Sequence, residues 1–199
     1  MKQFKTVFFV LLAIFIFSPL NNTAASPAQD QLKGSIDNIL ETLRDPSLKG
    51  DENRENRRAS LRKIIYKRFS FAKMSQLCLG RHWRKRSDEE KKVFIEMFGQ
   101  LLEESYVSRI ESYKDETVVF LKEDMRGNKA KVYTKIITDT IEIPMDYRMY
   151  KREDGQWMVY DLVVEGVSLV GNYRSQFDQI LHRDPYEKLV ETIKKKLAK

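Results

Sequence analysis

The segment Tyr160-Asp161-Leu162-Val163-Val164-Glu165-Gly166-Val167-Ser168-Leu169-Val170-Gly171-Asn172-Tyr173-Arg174-Ser175-Gln176-Phe177 passes from an apolar strand directly into a helix. Val163 and Val164 finish the strand, Gly166 lets the chain turn, and Val167, Leu169 and Tyr173 begin the helix. Before this junction the chain has a period of two back to Glu116, and after it the period is helical. Strands are therefore grouped in one run of sequence and helices lie outside it, the pattern of an α+β fold.

Upstream, four strands are predicted at Thr117 to Lys122, Lys129 to Thr138, Ile141 to Lys151 and Gln156 to Val164. Turn signals separate them at Arg126-Gly127-Asn128, near Asp139 and at Asp154-Gly155, which implies an antiparallel meander. In the third strand Ile141, Ile143, Met145, Tyr147 and Met149 share one face, while Glu142, Asp146 and Arg148 share the other. One face of the sheet is thus expected to be covered.

Further upstream, Leu32, Ile36, Ile39, Leu40 and Leu43 make an amphipathic first helix over residues 26–43. Leu61, Ile64, Ile65 and Phe69 imply a second helix with a basic outer face, and a short third runs from near Ser70 to Gly80. The clearest element starts at Ser87, where Glu90 three residues on completes a capping box. Val93, Phe94, Met97, Phe98, Leu101, Leu102, Tyr106, Ile110 and Tyr113 then keep an apolar stripe over about 26 residues. After the junction two closing helices are expected, the last starting at Asp184-Pro185 with Tyr186, Leu189, Val190, Ile193 and Leu197 on its apolar side. The expected architecture is a four-stranded antiparallel sheet with about six helices, packed mainly on one face and enclosing an apolar pocket.

The first 25 residues have the form of an export signal: Lys2 and Lys5, the apolar run from Val7 to Phe17, then small residues ending at Ala25. Eleven apolar residues are too few to span a bilayer, and cleavage before Ser26 leaves 174 of the 199 residues, enough for one domain (26–199). Loss of Lys2 and Lys5 lowers the formal net charge from +7 to +5. In an exported protein that balance points to anionic lipid surfaces or acidic partners, with no nucleic acid. Cys78 is the only cysteine, so no internal disulfide can form.

Chemistry is sparse in this chain. It has two histidines, His82 and His182, both read as surface or cap residues. There is no metal-ligand spacing, phosphate-binding glycine loop or nucleophile elbow, so no catalytic residue, metal or cofactor is expected. Asp161 and Glu165 are read as a hydrogen-bonding or turn residue and a cap or ion-pair partner. Arg54, Arg57, Arg58, Arg62, Lys63, Lys67 and Arg68 form one basic cluster, Arg81, Arg84, Lys85 and Arg86 a second, and Lys194, Lys195 and Lys196 a third. They are read as solvated faces, with docking to anionic headgroups or an acidic partner as the alternative.

Phe69-Ser70-Phe71 with Met74, Leu79-Gly80-Arg81-His82-Trp83, the long helix, Asp154-Gly155 with Trp157, and Tyr160 through Phe177 form a set of motifs. Together they resemble the MlaC family of periplasmic phospholipid-binding proteins, also called the toluene-tolerance auxiliary family. Ser70 stands where the family often has Asp, and Asp184-Pro185 where a Gly-containing turn is common. The resemblance implies a non-enzymatic carrier that holds phospholipid acyl chains between helices and sheet. Its implied partners are an inner-membrane ABC transporter with an MCE-domain ring and an outer-membrane lipoprotein complex.

The pocket expected on that basis is lined by Phe94, Met97, Phe98 and Leu101 on the long helix and by Met145, Tyr147 and Met149 on the sheet. Val164, Val167, Leu169, Val170 and Tyr173 complete it around the junction, and Arg81 or Arg174 lies near the lipid phosphate. From spacing alone the same apolar residues simply pack on one another. The competing reading is an exported adaptor with a solid core that binds proteins or anionic membranes through its basic faces.

Overall fold

The computed structural model describes residues 26–113 and 116–198, so the export signal expected over 1–25 lies outside the described residues. Helices α1 (Pro27–Arg44), α2 (Arg54–Arg68), α3 (Phe71–Leu79) and α4 (Asp88–Glu111) come first. Strands β1 (Thr117–Arg126), β2 (Lys129–Ile137), β3 (Glu142–Lys151), β4 (Trp157–Val164) and β5 (Val167–Ser168) follow, then α5 (Leu169–Arg183) and α6 (Tyr186–Leu197). Short 3₁₀ segments occupy Pro46–Leu48 and Gly80–Lys85.

The sheet is an antiparallel meander in the order β1-β2-β3-β4-β5, with one strand more than the four expected. Glu165 (φ 49°) and Gly166 (φ 82°) both adopt left-handed backbone and form a two-residue hairpin loop that pairs Val164 with Val167. A two-residue strand is too short to show a period of its own, which is why the junction reads as a direct strand-to-helix passage.

A β-bulge shapes the covered face. Arg148 pairs with Asp161 but Met149 pairs with Val159, so Tyr160 is the extra residue on β4. The bulge shifts the side-chain alternation by one, letting Trp157 and Val159 on one side of it and Leu162 on the other all face the same way. On that face Ala130, Val132, Tyr147 and Met149 meet Ala28, Leu32 and Ile36 of α1. Helix α1 starts cleanly because Ser26 Oγ accepts from the Ala28 and Gln29 amides and Pro27 occupies the first turn.

A second cluster joins α3, α4, α5 and α6 around Phe94, Phe98, Tyr173, Phe177 and Tyr186. The Phe98 and Tyr173 rings meet edge to face with centroids 5.2 Å apart. Phe69, between α2 and α3, packs against both clusters. The capping box on α4 is present as expected, but the helix ends at Glu111, and Val93 leaves the apolar stripe with 44% of its surface exposed.

Four of the seven cations in the α2 cluster are paired with α4 or buried, contrary to their reading as a solvated face, while Lys63 and Lys67 stay exposed. Arg57 and Arg58 both bind Glu111 at 2.9 Å, Arg62 pairs with Glu103, and Arg68 is buried. Burial opposes ionisation of Glu111, but hydrogen bonds from Arg58 and Arg57 outweigh it and hold the carboxyl below its usual value of 4.5. A carboxylate depressed in the folded state stabilises above its unfolded pKa, and that contribution fades as the pH falls through the folded value. Glu111→Gln is therefore expected to cost about 1–3 kcal/mol at pH 7 and to flatten the loss of stability below pH 4.5. Urea midpoints measured from pH 7 to pH 3 check this, and parallel profiles for the two proteins would refute it.

Candidate functional site

The polar groups of the strand-to-helix junction are fully engaged with one another. Asp161 is 2% exposed, and its Oδ1 accepts from the Val170 amide at 3.0 Å. Its Oδ2 accepts from Ser168 Oγ at 2.7 Å and from Arg148 Nη1 at 3.0 Å. Ser168 Oγ in turn accepts from the Gly171 amide at 2.9 Å, capping α5. Asp161 is thus a structural hydrogen-bond acceptor, as expected. Glu165, expected as a cap or ion-pair partner, instead takes the left-handed turn position, where its amide donates to the Pro144 carbonyl at 3.0 Å.

The remaining reactive groups are the single thiol and the potential metal ligands. Cys78 is 1% exposed and donates to the Val170 carbonyl at 3.6 Å. Burial, with Asp161 nearby, pushes its thiol well above the ordinary value, so the thiolate is suppressed. Among the described residues no three His, Cys, Asp or Glu side chains are placed to hold a metal.

The apolar seam lies elsewhere, between α1 and the sheet. Its floor is closed at Val132, Met149, Trp157 and Val159, each at most 2% exposed. Coverage is only partial at Val118, Phe120, Met145 and Leu162, which pack against the same cluster. Tyr147 is buried with its hydroxyl donating to Met145 Sδ at 3.2 Å, and burial pushes its phenol far above the usual range. Such an environment suits hydrocarbon and disfavours charge.

Arg68 pins the closed end of the seam. It donates from Nη1 to Gln31 Oε1 at 2.9 Å, from Nε to Ser35 Oγ at 2.8 Å, and to the Trp157 carbonyl. Gln31 Oε1 also accepts from the Trp157 amide at 2.9 Å, so α1, α2 and β4 share one polar knot. Burial pulls the guanidinium pKa below its ordinary value, and among the described residues no carboxylate pairs with it.

The residues expected to line one pocket fall into two groups. Met145, Tyr147, Met149 and Val164 share the sheet face over which α1 lies. Val167 pairs with Val164 and is 62% exposed on the hairpin. Phe94, Met97, Phe98, Leu101, Val170 and Tyr173 belong to the helical cluster, against which Leu169 packs. The two groups meet at Phe69.

Arg81 and Arg174 lie on the helical side. Arg81 binds Asp178 at 3.2 Å, and the Arg174 guanidinium lies so close to Gly80 that an added Cβ would be 3.2 Å from its Nε. Leu32, Ile36 and Leu40 of α1, opposite the sheet, were absent from the expected lining. Their helical spacing is plain in the sequence, but nothing local says which face they cover. Two hollows of about 400 and 350 Å³ occur at Asp178, Gln179, His182 and Arg183 and at the C-terminal end of α1, both outside the seam.

These features define an α+β protein with an apolar interior, a helix laid over one sheet face, and polar groups used to pin elements together. Residues 33–195 match the family described as MlaC protein, and the chain belongs to that family. The Intermembrane phospholipid transport system binding protein MlaC of Haemophilus influenzae is 26% identical over 117 residues, which is 56% of this chain and 55% of that protein. The chain thus matches about half the length of that curated relative. A solved structure of a phospholipid-binding protein from Ralstonia solanacearum, in complex with a phospholipid, is 26% identical with a TM-score of 0.79. The likeness covers 87% of this chain and all of that one.

Proposed function

We propose that this chain is a periplasmic phospholipid carrier that catalyses no reaction and acts as a single domain, residues 26–199, after loss of its signal. The observation that carries the reading is the apolar sheet face under α1, within a fold similar to that of a phospholipid complex. Two acyl chains of about 15 carbons represent roughly 24 kcal/mol of apolar transfer at ~0.8 kcal/mol per methylene. A carrier must therefore surround them almost completely.

The seam supplies the wall chemistry. Lipid is admitted where Val118, Phe120, Met145 and Leu162 are only partly covered, as α1 and the sheet face part there. The unbranched Met145 and Met149 adapt to chains of variable shape. Arg68 keeps the other end closed. The headgroup stays near solvent, and lipid is exchanged with an inner-membrane ABC transporter bearing an MCE ring and with an outer-membrane lipoprotein complex.

Lipid extraction and mass spectrometry of protein purified without detergent tests this reading. Phospholipid is expected with the wild type, and Met145→Arg, at a half-covered position, is expected to remain folded and lose it. Recovery of no lipid from the folded wild type would overturn the proposal.

A further inference from the structure

Cations on this protein differ sharply in how they are used. On α2, Arg57, Arg58 and Arg62 are neutralised by Glu111 and Glu103 and Arg68 is buried, while Lys63 and Lys67 stay exposed. The surface where Gly80–Lys85 meets α5 is organised differently. Arg84, Lys85, Arg174 and Arg183 are exposed there, and among the described residues none has an ion pair. The carboxylate that joins the two elements, Asp178, already accepts from Arg81 Nη2 and faces His82 Nε2, each at 3.2 Å. Those contacts, with Arg174 lying against Gly80, hold the 3₁₀ segment beside the helix. A hollow of about 400 Å³ is lined by Asp178, Gln179, His182 and Arg183 of α5.

We propose that the face formed by Gly80–Lys85 and the outer side of α5 is an electrostatic docking surface for the anionic phosphate headgroups of a membrane. This goes beyond the holding of a lipid cargo, because it concerns the outside of the protein and requires no seam to open. Long, unpaired cations spread over two elements match mobile phosphates without needing a fixed register. A protein partner would ordinarily be held by buried aromatic or aliphatic anchors. Among the described residues the exposed large apolar residues are Tyr66, Val93, Leu121, Met125, Ile141 and Val167, and none of these belongs to this face. Adsorption by charge without an apolar anchor is therefore the mode that the surface fits.

Sedimentation of the mature protein with phosphatidylcholine vesicles, with and without phosphatidylglycerol, tests the proposal. The wild type is expected to bind only the anionic vesicles and to release as salt rises. Arg84→Gln, Lys85→Gln and Arg183→Gln together are expected to weaken partitioning about 100-fold, taking about five-fold per surface cation. The control triple Lys63→Gln, Lys67→Gln and Lys196→Gln removes the same charge elsewhere and is expected to weaken it less than about five-fold.

Equal losses in the two triples would show diffuse attraction and overturn the proposal, as would equal binding to neutral and anionic vesicles. Failure to bind anionic vesicles, with poly-glutamate bound through Arg84, Lys85 and Arg183, would assign the face to an acidic protein and also overturn it. Circular dichroism of both triples confirms that each variant is folded. Lipid extraction from the same preparations separates a failed docking surface from a failed carrier.

Discussion

Replacing Asp161 with alanine is expected to destabilise the protein by about 3–4 kcal/mol, an effect of the size seen when a buried charge network loses its acceptor. The substitution strands the buried Val170 amide and removes the acceptor for both Ser168 Oγ and Arg148. Arg148 contributes little to the loss, since its side chain is 43% exposed and water can replace the partner. Most of the cost comes from the start of α5, where Asp161 and the Ser168 cap together satisfy the amides of Val170 and Gly171. Asp161→Asn retains one acceptor and should lose about half as much. Urea unfolding at pH 7 measures both, and a loss below about 1 kcal/mol for the alanine variant would show that the junction is held by other means.

Arg68→Ala is expected to cost about 3 kcal/mol and to loosen α1 from the sheet. Arg68 is 8% exposed and its guanidinium bonds Gln31, Ser35 and the Trp157 carbonyl, so its removal takes that donor from Ser35 Oγ and the Trp157 carbonyl and leaves Gln31 Oε1 with the Trp157 amide alone. Arg68→Met restores volume but no donors and should recover only part of the loss. Hydrogen exchange is expected to rise along α1 and at the Trp157 end of β4 while the α3–α6 cluster stays protected. Exchange that rises uniformly through both clusters would refute the idea that Arg68 acts locally at the seam. Under the carrier reading the same variant should also retain less phospholipid, because the closed end of the seam is no longer held.

These two residues mark the limits of what can be read from the chain. Asp161 stands in a motif whose turn, cap and helix spacing are all local, and its role as a hydrogen-bonding residue was legible there. Arg68 looked like one more cation in a basic run, because its partners Gln31, Ser35 and Trp157 lie 33 to 89 residues away. The same distinction holds for Glu111, which lies 53 residues beyond Arg58 and absorbs two cations that spacing left on the surface. The expected pocket combined apolar residues of α4 with those of the sheet, yet α1 is the helix laid over Tyr147 and Met149. An amphipathic stripe declares that a helix has a covered face without declaring what covers it.

Element type, order and punctuation followed from the chain alone: the capping box at Ser87 and Glu90, the period-two strands, and Gly166 at the turn. Each depends on backbone geometry and on neighbours a few residues apart, so the information is local. The two-residue β5, the bulge at Tyr160, the division of the apolar residues into two clusters and the pairing of α2 cations with α4 were decided by tertiary structure. They depend on which surfaces meet once chain segments far apart in sequence are brought together, and hydrophobic burial is non-directional and does not encode its partner.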